Sequence, residues 1–226
     1  QSIWTAQYSS THGSRDNQRL LPKDATHAFK IWKDAGFTTA LIGKNHCFET
    51  EEALALFDVW CEIGHGGLPE NGKTKGMEWY RPTEGIDRAN KERDEIVNQC
   101  PAFGYKISDW PLEDYSTGLV AGQTIRFLEE RQDEPFALWL SIPDPHEPWS
   151  ISKEYADQFP SEKIDLPPWK EDEFDERAPL RNRILNAMTS VTGDDPKEVY
   201  GLLSVYYGMV KFIDDALGQI LDALER

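Results

Sequence analysis

Two short stretches gather the groups that could hold an anion or move a proton. In "TALIGKNHCF" an apolar run ends at Gly43, and Lys44 and His46 follow with one residue between them. If the chain stays extended past Gly43, side chains 44 and 46 point to the same side. A lysine offers a point charge to an anionic oxygen, and a histidine exchanges a proton near neutral pH. Gly43 lacks a Cβ, so a second group can come close to its backbone. In "SIPDPHEPW" Asp144 and His146 sit among Pro143, Pro145 and Pro148. Prolines stiffen a loop, and a stiff loop is what a positioned acid or base needs. The same residues also fit a solvated lysine and hydrogen-bonded loop histidines. Spacing alone leaves both readings open.

Other candidates carry less. His12 precedes Gly13 in a polar loop, and His65 stands in the flexible "GHGG". Asp214 and Asp215 are paired carboxylates, but adjacent helical positions point about 100° apart and do not readily share one ion. Trp79, Trp110 and Trp149 fall in loop-like sequence and could stack on a sugar or aryl group. There is no nucleophile elbow, phosphate-cradling glycine loop or dinucleotide fingerprint.

The elements around the two stretches are those of an α/β protein. Ala28, Phe29, Trp32 and Lys33 have helical spacing, with Asp24 or Thr26 as the expected cap and Gly36 as the stop. "FTTALIG" then reads as a buried strand, and "PFALWLSI" as a second. Both stretches of interest therefore begin at the carboxyl end of a strand, where open α/β sheets place ligands. Between the strands, "STGLVAGQTIRFLEE" suits an amphipathic helix capped near Ser116 or Thr117. Residues 1–8 could open a helix, 9–20 read as loop, and 51–57 as a short helix. Residues 61–115 and 151–195 read as loop-rich insertions, with a small helix near 90–98 in the first and one short helix within 151–179 in the second. Leu202, Tyr206, Met209, Ile213, Leu217, Ile220 and Leu224 recur at steps of three and four, marking a long helix packed on the sheet.

The net charge of −16 over 226 residues argues against nucleic acid or an anionic membrane surface as the main partner. Residues 1–48 run against that trend. They carry Arg15, Arg19, Lys23, Lys30, Lys33 and Lys44 against only Asp16, Asp24 and Asp34, a bias that suits an anion pocket. Cys47, Cys61 and Cys100 have no metal-binding spacing and form no disulfide framework. No apolar run approaches a membrane span.

Four blocks then occur in order: "SIWTAQYSSTHG", "LLPKDATHAFKIWKDAGFTTALIGKNH", "PFALWLSIPDPHEPW" and "YYGMVKFIDDALGQILDAL". Together they resemble the sulfatase family of the alkaline-phosphatase-like superfamily and frame nearly the whole chain. The resemblance implies a three-layer α/β sandwich, incomplete here, with 1–226 forming a single partial catalytic domain. It implies that Lys44 and His46 bind the sulfate near the reacting oxygens, and that His146 contacts the substrate and helps the leaving group. It also gives the Asp214–Asp215 helix a structural part. Asn45 stands where the family usually has Trp, and Ala6 where it usually has Gly.

The family's nucleophile, a cysteine or serine in C/S-x-P-x-R converted to formylglycine, is expected just upstream of Gln1. The ligands of its divalent metal, expected to be calcium, fall outside the chain on both sides. The implied activity is hydrolysis of a small-molecule or glycan sulfate ester by the full-length protein, with the isolated chain inactive. Two alternatives remain open: phosphate or phosphonate monoester hydrolysis, and a non-catalytic anion- or glycan-binding module. The resemblance is compatible with a periplasmic or secreted protein, and the residues themselves fix no compartment.

Overall fold

The computed structural model describes residues 1–64, 74–76, 84–99, 104–166, 168, 173–189 and 197–226. Its centre is strand β1 (Thr38–Gly43), which is apolar on both faces. Strand β2 (Val59–Glu62) pairs parallel on one side of it, and β5 (Phe136–Ser141) pairs parallel on the other. A short strand β3 (Thr74–Lys75) adds antiparallel to β2, giving the order β3-β2-β1-β5. A parallel strand is buried on both faces, so it needs apolar residues at successive positions rather than alternate ones.

The pleat sorts those residues into two layers. On one face Ala40, Ile42, Val59 and Cys61 pack with Leu138 and Leu140 against helix α6 (Ser116–Glu130), through Val120, Phe127 and Leu128. On the other, Leu41, Trp60 and Trp139 stand in register and meet helices α3 (Ala28–Asp34) and α4 (Thr50–Leu56). Phe29 centres an aromatic cluster there, with ring centroids 4.8 Å from Trp4 and 4.9 Å from Phe57. Helices thus cover both faces of a mostly parallel sheet, as expected.

A second, parallel pair of strands, β4 (Tyr105–Ser108) and β6 (Trp149–Ser152), lies beside the main sheet. Helix α9 (Lys197–Glu225) serves both sheets. Val205, Met209 and Phe212 pack with Ile151, Tyr155, Trp110 and Tyr115, while Ala216 and Ile220 join the core under β1 and β2. The expected long helix is present, but only its C-terminal half reaches the main sheet's core.

Several local expectations need correction. The cap of α3 is His27, whose Nδ1 accepts from the Lys30 amide at 3.3 Å, rather than Asp24 or Thr26. Burial, and then the Lys30 charge, hold the His27 pKa below its usual value, which keeps that nitrogen an acceptor. Gly36 stops the helix as expected, with φ at +86°. Ser9–His12 forms one helical turn rather than loop, and Ser2–Thr5 forms another (α2 and α1). The helix expected near 90–98 runs over Glu84–Gln99 (α5). Strand β6 and helix α8 (Leu180–Thr189) occupy sequence read as loop-rich, while the short helix α7 (Lys153–Ala156) is the one short helix expected within 151–179.

Candidate functional site

The register of the sheet brings the two stretches together. Gly43 pairs with Ser141 on one side and Glu62 on the other, so β1, β2 and β5 all end at one carboxyl edge. The Lys44 amide donates to the Ser141 carbonyl at 2.8 Å, carrying the ladder one bond past the strand. The contact is so close that a Cβ on Gly43 would stand 1.9 Å from that carbonyl oxygen, and Gly43 has φ of +114°. Glycine is required here for both reasons.

Beyond Lys44 the chain turns instead of staying extended. Asn45 is buried, and its side-chain carbonyl accepts from the amides of Cys47 and Phe48 at 2.9 and 3.0 Å. Its amide group donates to the Phe48 carbonyl at 2.7 Å. An asparagine that bonds its own following backbone is a turn former. This accounts for Asn45 without any contact to a ligand. It also replaces the premise that Lys44 and His46 share a side by simple alternation. Lys44 is half-buried and His46 is exposed. The Gln1 side chain donates to the His46 and Arg19 carbonyls, both at 2.9 Å, and ties the turn to the neighbouring loop.

The loop after β5 is held from outside. Asp144 does not partner His146. Its carboxylate accepts from the Thr117 hydroxyl at 2.6 Å, the Thr117 amide at 3.2 Å and the Ser116 hydroxyl at 2.9 Å. Helix α6 has Tyr115 at its N-cap with no side-chain cap of its own, so Asp144 caps it from another element. That corrects the expected cap at Ser116 or Thr117: both hydroxyls donate to the carboxylate instead. The negative charge also sits at the positive end of the helix. Within the loop, the Trp149 indole donates to the Pro145 carbonyl at 2.9 Å, and the His146 amide to the Pro143 carbonyl at 3.3 Å. His146 keeps 52% of its side chain exposed and lies 2.9 Å through Nδ1 from both the backbone and the carboxylate oxygen of Glu147.

Two buried titratable residues escaped the sequence reading. Glu62 ends β2 almost fully buried, in register with Gly43. An acid closing the apolar run "VWCEI" was the available signal. Arg93, on α5, lies 4.5 Å over the Trp110 ring and donates to the Asn90 side chain at 3.1 Å. Burial pulls its pKa below the usual value, against the opposing pull of Asp144 first, then of Tyr115 and Asp114. No local pattern marks such a residue, because its partners come from three separate segments.

The remaining candidates are structural. His12 is buried between the Ser2 hydroxyl and the Ser14 amide, at 3.0 and 3.2 Å. Asp215 pairs with Lys211 and accepts from the Tyr155 hydroxyl at 3.2 Å, while Asp214 stays exposed on the helix. Trp110 is buried beneath Arg93 and offers no face to a sugar, and Trp149 opens β6. His65 and Trp79 lie outside the described residues. In the basic opening segment, Lys23, Lys33 and Arg19 pair with Glu49, Glu52, Asp58 and Asp16, so only part of its charge excess can serve an anion.

Among the described residues no group of three or more His, Cys, Asp or Glu side chains is placed to hold a metal ion. These residues do not by themselves fit the metal the family implies, and no chemical step below runs through one. Nor is any described helix long and apolar enough to cross a membrane.

The mostly parallel sheet between helices matches solved structures of the alkaline-phosphatase-like class, which superpose on it. One is a phosphonate monoester hydrolase from Silicibacter pomeroyi, with a TM-score of 0.64 and 17% identity, covering 99% of this chain and 48% of that one. Another is BT4656 in complex with its substrate D-glucosamine-2-N,6-O-disulfate, with a TM-score of 0.58 and 18% identity, covering 99% and 51%. The sulfatase family model matches residues 1–226, and the chain belongs to the sulfatase family. Its curated relatives include the sulfatase YidJ of Escherichia coli K12, 24% identical over 98% of this chain, and an arylsulfatase of Clostridium perfringens, 25% identical over 85%. The chain spans only 42% and 41% of the length of those two relatives.

Proposed function

We propose that residues 1–226 are one part of the catalytic domain of a sulfuric ester hydrolase, contributing a wall of the substrate pocket. The nucleophile and metal ligands come, in this reading, from sequence outside these residues. The observation that carries it is the shared sheet edge. The bond from the Lys44 amide to the Ser141 carbonyl sets the two histidine loops side by side, in a chain of the sulfatase family.

Each residue then has a distinct task. The Lys44 ammonium stabilises charge on the sulfuryl oxygens. His46, exposed at the turn that Asn45 builds, orients the ester from the same strand end. As the nucleophile supplied from outside these residues bonds to sulfur, the bond from sulfur to the ester oxygen breaks and its electron pair leaves with that oxygen. That oxygen takes a proton from His146 and departs as the alcohol. With Nδ1 turned to Glu147, Nε2 is the nitrogen that delivers the proton. The substrate class is a sulfate ester of a small alcohol, phenol or sugar. The relatives' names and the sulfated glucosamine bound by BT4656 support that breadth.

The test is turnover by the full-length protein. Lys44→Ala is expected to lower kcat/KM on a nitrophenyl sulfate by roughly 10²–10³-fold. Full activity in that variant would sink the assignment. A faster rate on nitrophenyl phosphate or phenylphosphonate than on the sulfate would instead move the chain to the superfamily's other chemistry.

A further inference from the structure

We infer that Asp144 is the positioning residue for His146, acting through the start of helix α6, with Arg93 bracing that helix start through Trp110 and Tyr115. The inference rests on the reading of His146 as the group that protonates the leaving oxygen.

The loop from Ile142 to Pro148 makes no ladder bonds of its own, since it lies between β5 and β6 and belongs to neither. It needs an external anchor, and Asp144 supplies one. Both carboxylate oxygens accept from the Ser116 hydroxyl at 2.9 Å, and one also takes the Thr117 hydroxyl at 2.6 Å and amide at 3.2 Å. Thr117 and Ser116 are almost fully buried and Asp144 is half-buried, so these bonds are partly shielded from water. Charge-assisted bonds of this kind are short and directional. They fix the backbone two residues before His146 to a 15-residue helix that is itself packed against the main sheet. Lys44 emerges from that same sheet. The acid and the anion-binding lysine are therefore referenced to one rigid body rather than to a free loop.

Arg93 adds a second constraint. Its guanidinium is buried over Trp110, and Trp110 meets Tyr115, the residue that immediately precedes Ser116, in a tilted ring contact with centroids 4.8 Å apart. It belongs to α5, so a helix with no residue in the proposed chemistry helps to hold the helix start that anchors the His146 loop.

The experiment compares two esters in the full-length protein. An alkyl or sugar sulfate needs its leaving oxygen protonated, while a nitrophenyl sulfate scarcely does. Asp144→Ala is expected to lower kcat/KM on the alkyl sulfate by roughly 10–100-fold and on the nitrophenyl sulfate by a few-fold at most, as a small misplacement of an acid should. Thr117→Val, which deletes the shortest bond and keeps the shape, should show the same split with a smaller amplitude. It also covers the case in which Asp144→Ala fails to fold. His146→Ala is the reference. If it discriminates between the esters and neither Asp144→Ala nor Thr117→Val does, the positioning inference is wrong and the role of His146 stands. Equal losses on both esters for His146→Ala would remove the underlying role, and the inference with it.

Discussion

Two aspartates make nearly the same bonds at opposite edges of one sheet. Asp58, just before β2, accepts from the Thr39 amide at 3.0 Å and its hydroxyl at 3.1 Å. Asp144, just after β5, accepts from the amide and hydroxyl of Thr117. At the amino edge the bond grips the start of a strand, and a partly exposed Lys33 at 2.8 Å completes it. At the carboxyl edge it grips the start of a helix, with Arg93 buried nearby. The local chemistry is alike. What differs is the edge: only the carboxyl edge releases the Lys44 and His146 loops, so the same bond is architecture at one end and, in the proposed function, placement of reactive groups at the other.

This contrast can be broken at three levels. The largest effect is expected from Gly43→Ala, because a Cβ would meet the Ser141 carbonyl and the positive φ would be strained. About 4 kcal/mol of stability should be lost, read from urea unfolding, together with activity on every ester. Retained activity would show that the carboxyl edge is not the rigid reference frame described here.

Asn45→Ala comes next, at about 2 kcal/mol, since it strands two buried amides. Its effect should be local. Burial holds the Cys47 and Cys61 thiols protonated, the latter with its pKa raised to about 12. Alkylation at pH 8 should therefore accelerate at Cys47, inside the turn, and stay slow at Cys61, inside β2. Equal acceleration at both would mean that the turn and the strand open as one unit.

Asp58→Asn should do least, under about 1 kcal/mol for so exposed a pair. Burial opposes ionisation of Asp58, but the Lys33 ammonium and the Thr39 donors outweigh it and hold the carboxyl below its usual pKa. A depressed folded-state pKa contributes stability above the unfolded carboxylate pKa of about 4, and that stability is lost as pH falls through the depressed value. The variant should therefore lose part of its acid-unfolding dependence below about pH 4. It should also show no difference between alkyl and nitrophenyl esters, unlike Asp144→Ala.

Elements with strong local signals were legible in sequence. "FTTALIG" and "PFALWLSI" are apolar enough to be nothing but buried strands, and Gly36 and the α9 stripe follow from single-element rules. Strands β4 and β6 were not legible. Four residues each leave little periodicity, and what makes them strands is pairing between Tyr105 and Trp149, far apart in sequence. The Asn45 turn obeys a local rule, but the neighbouring strand suggested continued extension, and the asparagine's three bonds outweighed it. The anchoring of Asp144 could not be read at all. Ser116 and Thr117 are good caps in isolation, and only the fold shows that both donate to a carboxylate 27 or more residues away.

Helix α9 sets how the molecule comes apart. Its 29 residues extend about 43 Å at 1.5 Å per residue, long enough to belong to two cores at once. Val205 to Phe212 seal the smaller sheet, and Ala216 to Ile220 seal the larger. Neither core can melt without exposing part of the same rod. Hydrogen exchange in β6 and in β1 should then follow one common opening rather than two, so that a substitution such as Met209→Ala also shortens the protection of Ile42.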